Sequence, residues 1–414
     1  MRLLKLEIKR ILKTRMTLIL LTLSLVLSAV MAWLPITFCY TYATDENGNS
    51  VKLTGMAAIE HTKTVQAGIA GTVTPEKVRH ALESYQSCLR KYGVTESYDL
   101  PDGVYDAEIT PYAPLLRGIK EAFADPDTGI ATPLMEIDPE WIDRYYEACE
   151  EHILSLMKME QAKHPAAQKT GVTLYGKVTK PFQFYPGYNT DAMDYQMLFS
   201  FLIVLFCTVI SAPVFTSDYQ TGADDILRCT KYGKTKFAAV KILSAFLISG
   251  IAYTLCIGIY LLISNSLFGW ECGKTSMQIL FSIANLPDLN LGQLQNFLAG
   301  SGLLCLLATV SFTLFLSSKA KSIVTSLSVS LLFCFLPVII YMLLPEKIGI
   351  WLYSILPASG VGLQASFLYA LLDFQFWNIG SLAIWLPHVM LGACILEIPV
   401  FIILTVNSYL RHRV

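Results

Sequence analysis

The sequence predicts an all-α polytopic membrane protein. It has six transmembrane helices, an N-terminal interfacial amphipathic helix, a re-entrant helical hairpin before the last span, and a mainly α extracytoplasmic domain between spans one and two. Three observations lead there. Hydrophobic residues make up 54% of the 414-residue chain and charged residues 15%, with a mean hydropathy of +0.49, a balance outside the soluble range. Apolar runs recur that are long enough for the roughly 20 residues of helix a bilayer core demands. The net charge of −1 also conceals a segregation. Acids crowd between residues 40 and 195, whereas bases crowd at the N-terminus, at 218–241, at Lys319 and Lys321, and at Arg411 and Arg413. That pattern is a topological signal. It gives no support to nucleic-acid binding.

Residues 1–15 set Leu3, Leu4, Ile8, Ile11 and Leu12 along one helical face, with Arg2, Lys5, Lys9, Arg10, Lys13 and Arg15 filling the rest. Such a helix lies in the inner headgroup layer. Residues 16–39 then form the first span, with the N-terminus cytoplasmic. A cleaved signal peptide is the competing reading. The run is longer than an ordinary h-region, however, and no convincing small-x-small site ends it.

Residues 40–194 are the one sizeable water-soluble part, placed outside the cell by the sidedness of span one. The stretch 45–50 reads as a turn. Thr74-Pro75-Glu76 reads as a helix N-cap, a Pro at the first position and an acidic first turn leading into 78–92. Asp138-Pro139-Glu140 repeats that logic before 141–163, and 114–123 is a shorter helix. His61, His80, His152 and His164 lie here without a His-Glu-x-x-His, Gly-x-Ser-x-Gly or Cys-x-x-Cys. His152 directly follows a carboxylate, so the two share no helix face, and a solvated surface is the better reading than a metal site. The many aromatic residues suit an ordinary core, and equally contact with lipid headgroups or an amphipathic substrate. Cys88 and Cys149 sit on two of these helices, and a bridge between them stays open. Most other cysteines lie in apolar runs as small hydrophobes.

Span two covers 195–216 and span three 242–264. Between them, 217–241 carries Asp218, Gly222, Asp224, Asp225, Arg228, Lys231, Gly233, Lys234 and Lys241. Its five bases place it in the cytosol. An acid four residues before a Gly, then a small-residue turn with basic residues, then a Lys opening the next helix, resembles the coupling segment of ABC-2-type transporter permeases. Asp218…Gly222 supplies the first part, residues 230–235 the turn and Lys241 the last. Members of that family more often carry Glu at the first position and a Ser-Arg pair at the turn. The competing reading is an ordinary solvated loop held inside by its charge.

Spans four, five and six fall at 296–316, 322–344 and 386–410. Both termini then lie in the cytoplasm and every cytoplasmic segment is basic, which suits a multi-pass plasma-membrane protein. Residues 348–384 are too apolar for a free loop and are broken at Leu356-Pro357. They read as a pair of short re-entrant or interfacial helices, the second at 363–376 with the lone acid Asp373, because irregular backbone at membrane depth must be shielded. A Leu-Pro break before the last span is also similar to ABC-2 permeases. Glu397, beside Pro399 in span six, either lines a transport path or subunit seam, or is a protonated structural group.

Residues 269–275 fall one residue short of a phosphate loop and lie on the outer side. No ATP-binding motif is present, so the chain is no enzyme by itself and implies no cofactor of its own. The resemblance, which covers 1–38 and 197–414, implies the transmembrane subunit of an ATP-driven exporter of an amphipathic, lipid-like or peptide-like substrate. Its partners are two cytosolic ATPase subunits, a second permease subunit (the same chain or a paralogue) and membrane lipid. The segment at 218–241 engages the ATPase through Arg228, Lys231 and Lys234, with Asp218 bracing it. The alternative is a sensor or resistance module whose outer domain binds a peptide antibiotic or lipid. A lipid-modifying membrane enzyme is a third class, for which no cluster of catalytic groups stands out.

Overall fold

The computed structural model describes residues 2–45, 49–230 and 233–411. Among them, six helices are long and apolar enough to cross a membrane: Arg15–Phe38, Asp191–Thr221, Thr235–Phe268, Leu291–Lys319, Ile323–Leu343 and Leu386–Arg411, here spans 1 to 6. This is the architecture of a multi-pass membrane protein. Spans 2 and 4 are two-thirds buried by their neighbours, whereas span 6 turns most of its apolar surface outward. Span 2 is broken at Ser211, where Pro213 starts a second helical piece, Pro213–Thr221. A proline lacks the N–H that would continue the ladder. Beside this break the Thr216 N–H turns to the Ser317 hydroxyl at 3.3 Å. The Ala212 carbonyl accepts from the hydroxyls of Thr216, Ser317 and Ser326 at 3.0, 2.6 and 3.2 Å, which ties spans 2, 4 and 5 together.

The N-terminal helix runs Arg2–Leu12 and packs on span 3. Its Arg10, the end of span 2, the start of span 3, the end of span 4 and the end of span 6 are joined by hydrogen bonds, so all lie at one end of the bundle. We call this the terminal end. The 40–190 region covers the opposite, insert end.

That insert opens with an antiparallel hairpin, Tyr40–Thr44 against Ser50–Thr54, which the sequence shows only as a turn. Its helices follow the capping signals. Thr74 accepts from the Lys77 N–H and begins Pro75–Tyr92. Asp138 accepts from the Glu140 N–H and begins a 3-10 turn, Pro139–Arg144, that passes into Tyr145–Glu160. The expected helix at 114–123 is found as Ala113–Ala122. Tyr145, Tyr175 and Phe182 are fully enclosed, so these aromatic residues serve the core. The insert's core is continuous with that of the bundle. Cys88 and Cys149 are both free, buried thiols, pushed up by burial to about 11 and about 12 respectively.

The region before span 6 differs from the expected helical pair in part. Two short helices do occur, Glu346–Tyr353 and Phe367–Leu372, but the second is far shorter than 363–376. A hairpin of Phe376–Ile379 with Leu382–Trp385 follows and packs on the insert helix Pro165–Tyr175. Alternation, not length, would have signalled it: Phe376, Ala383 and Trp385 are buried while Ile379 and Leu382 are exposed. Between the two short helices, the irregular stretch with Pro357 is buried. Val361 lies against Gly302, where a Cβ would sit 3.7 Å from the valine methyl. Gly302 is eleven residues into span 4, about 16 Å at 1.5 Å per residue. The buried part of the loop, 357–362, therefore packs into the bundle, while Ile355 and Leu363 on either side stay exposed.

Candidate functional site

The terminal end gathers most of the residues singled out at 218–241, around two ionic centres. The first is buried. Asp218 sits in the last turn of span 2 and Lys241 in the second turn of span 3, and both are shut off from solvent. Lys241 Nζ pairs with one Asp218 oxygen and donates to the Val214 carbonyl. Arg10 Nη1 takes the other Asp218 oxygen at 2.5 Å, and Arg10 Nη2 bonds Glu7 at 2.5 Å and the Val214 carbonyl at 3.2 Å. The four charges sum to zero. The ammonium also stands 5.0 Å from the Phe215 ring centre and 5.3 Å from that of Phe237. Buried ions survive only when paired and hydrogen-bonded, and here each is.

The second centre closes the segment against span 6. Gly222 ends span 2 with φ +68 and opens a short helix, Ala223–Arg228. The left-handed turn is what glycine permits without Cβ strain. Arg228 pairs with Asp224 at 2.6 Å, lies over the Tyr409 ring at 4.6 Å and donates to the Tyr409 carbonyl. The Tyr409 hydroxyl in turn donates to the Gly233 carbonyl at 2.9 Å. Gly233 is enclosed there: a Cβ would fall 1.7 Å from the Leu227 carbonyl oxygen.

The expected set thus divides. Asp218, Asp224, Arg228, Gly233 and Lys241 build the support, and Arg228 directs its charge inward. Asp225 and Lys234 are exposed, as is Ile226 at 74%. Lys231 lies outside the described residues. Sequence reasoning missed Glu7, Arg10 and Tyr409. Glu7 was the available clue, an acid three residues before Arg10 in an otherwise basic helix.

The remaining candidates stand elsewhere. Glu397 is half-buried in span 6, and its Oε2 atom has no hydrogen-bond partner among the described residues. Pro357 is in the buried loop described above. Asp373 is half-buried at the insert end; burial, with Glu346 and Glu160 adding repulsion, raises its carboxyl above the usual range. The loop at 269–275 includes a 3-10 turn, Trp270–Lys274, whose Lys274 pairs with Glu271 at 3.5 Å. Among the described residues no group of three or more His, Cys, Asp or Glu side chains is arranged to hold a metal.

Geometrically, the terminal end presents a small exposed knob, Ile226 with Asp225 and Lys234, on a base pinned to three parts of the chain. Set against known families and characterised proteins, the sequence matches no family model and no curated protein.

Proposed function

We propose that the chain is the transmembrane permease subunit of an ABC-2-type exporter, worked by a separate cytosolic ATPase and paired with a second permease subunit. The observation that carries the reading is the short helix Ala223–Arg228 between spans 2 and 3, rigidly supported yet exposed at its tip. In this reading Ile226 seats in the ATPase cleft, with Asp225 and Lys234 beside it. The push from nucleotide-driven closure passes through Asp218–Lys241 to spans 2 and 3, and through Arg228–Tyr409 to span 6. A loosely attached loop would absorb such a push; an ion-paired one transmits it. The N-terminal helix shares the load through Arg10. The terminal end is then cytoplasmic and the insert extracytoplasmic, as the positive-inside rule requires.

The test is affinity purification from the source membrane followed by mass spectrometry. The reading expects an ATPase subunit to copurify with the wild-type chain, and to be reduced at least tenfold by Ile226→Asp combined with Lys234→Glu. Membrane insertion should be unchanged. Equal recovery of the ATPase with the double variant removes the role. Ligand binding by the insert without flux or stimulated ATP hydrolysis would favour the sensor reading instead.

A further inference from the structure

At the insert end a cavity of about 550 Å³ opens where the exit of span 1, the insert helices Gly55–Val65 and Ala113–Ala122, and the start of span 2 meet. Its volume falls in the range of about 300–1,000 Å³ typical of small-molecule sites. The lining is divided by chemistry. Phe38, Ala58, Ile59, Phe184 and Ile279 make an apolar wall, and Arg117 and Asp191 bring one full charge of each sign.

Both charged groups keep capacity for a ligand. Arg117 Nη2 holds the Leu280 carbonyl at 3.2 Å and also reaches that of Ile279. A guanidinium has five N–H donors, so Nε and Nη1 remain without a partner among the described residues. Asp191 Oδ2 accepts from Asn189 at 3.2 Å, and a carboxylate has about four lone-pair sites. The level of the cavity matters as much. Span 1 ends at Phe38 and span 2 begins at Asp191, so the cavity sits where apolar helix gives way to polar chain. Phe38 and Tyr40 are more than half exposed beside it, as aromatic side chains at a membrane–water boundary are.

We propose that this cavity binds a single-chain zwitterionic amphiphile. Its cationic group lies against Asp191, its anionic group against Arg117, and its chain along Phe38 and Ile59. The assignment concerns binding alone, so it stands or falls separately from the export reading.

The probe is lysophosphatidylcholine with a photoactivatable diazirine in its tail. It is added to the full chain in nanodiscs of phosphatidylglycerol, a lipid with two tails and an anionic head. After illumination, labelled peptides are mapped by mass spectrometry. The proposal expects label at 38–40, at Ile59 or at 279–280, reduced at least fivefold by excess unlabelled lysophosphatidylcholine and little by uncharged monoacylglycerol. Arg117→Gln with Asp191→Asn should cut the label about tenfold. Thr62→Trp, which fills the cavity from its half-buried rim, should do the same at unchanged apparent Tm. Label spread over outward positions such as Leu332 and Leu396 without competition would overturn the site. Equal competition by monoacylglycerol would overturn the zwitterion. Both competition results come from the wild-type chain and need no variant to fold.

Discussion

The two ends of the bundle solve the same problem in opposite ways. At the terminal end, the buried charges of Glu7, Asp218 and Lys241 are cancelled with the help of Arg10, whose guanidinium caps them from the exposed side. At the insert end the spans are joined by neutral amides: Asn265 and Gln295 exchange two bonds at 3.0 Å, and Gln196 donates to the Gln295 carbonyl at 3.0 Å. Ion pairs enclosed by protein are rigid and unforgiving, whereas an amide pair is replaceable by apolar groups of similar shape. The difference separates an end held by charge pairs, which suits the proposed transmission of force, from one held by amides, which suits the proposed binding of a ligand. The stiff end holds the knob at Ile226; the neutral end holds the cavity.

The sharpest break of this contrast is Asp218→Ala. It leaves Lys241 buried with no direct partner and Glu7 alone to balance both Lys241 and Arg10, and stranding one partner of a buried pair costs about 3–5 kcal/mol. A large fall in apparent Tm in detergent is expected. Lys241→Met should lose well under half as much, because Arg10 still neutralises Asp218. Equal losses would show that the network is not shared as described.

Next comes the insert end. Gln295→Leu alone strands the Asn265 amide and should cost about 1–3 kcal/mol, while Gln295→Leu with Asn265→Leu should recover much of it. Apparent Tm again reads the result, and failure of the double variant to recover would remove the contrast between the ends. A smaller effect belongs to the turn residues. Gly222→Ala has open space but must hold φ +68, costing about 1 kcal/mol. Gly233→Ala collides with the Leu227 carbonyl and should cost more. Limited proteolysis within 222–234 measures both.

The smallest is a pH effect. A carboxyl whose pKa is raised on folding contributes stability that is full below its unfolded pKa, near 3.9, and lost as pH rises through the folded value. Asp373 is such a group. The difference in Tm between Asp373→Asn and wild type should therefore grow in the variant's favour from pH 4 to pH 7. A difference independent of pH would contradict the assignment.

The six long apolar helices were legible in the sequence because a bilayer-length apolar run has few other uses. Span 3, however, starts at Thr235, seven residues before the expected 242, so Lys241 lies within its helix and not in the loop before it. The capped helices were legible through Thr74 and Asp138. What stayed hidden depended on tertiary pairing. Arg10 looked like one more solvated base until Asp218 came to it from 208 residues away. The hairpin before span 6 was hidden because its strands are four residues each, so the length and composition of 348–384 pointed to helix and the alternation went unread. The support role of Arg228 rests on Tyr409 at the far end of the chain, and no local pattern announces that.

The central claim is that the knob between spans 2 and 3 faces the cytosol, within reach of a nucleotide-driven partner. Cys229 tests it without any substitution, because it lies beside the knob and is the one exposed cysteine of ten. A membrane-impermeant maleimide should leave Cys229 unmodified in intact cells and modify it in inside-out vesicles. Modification of Cys229 in intact cells would contradict the account.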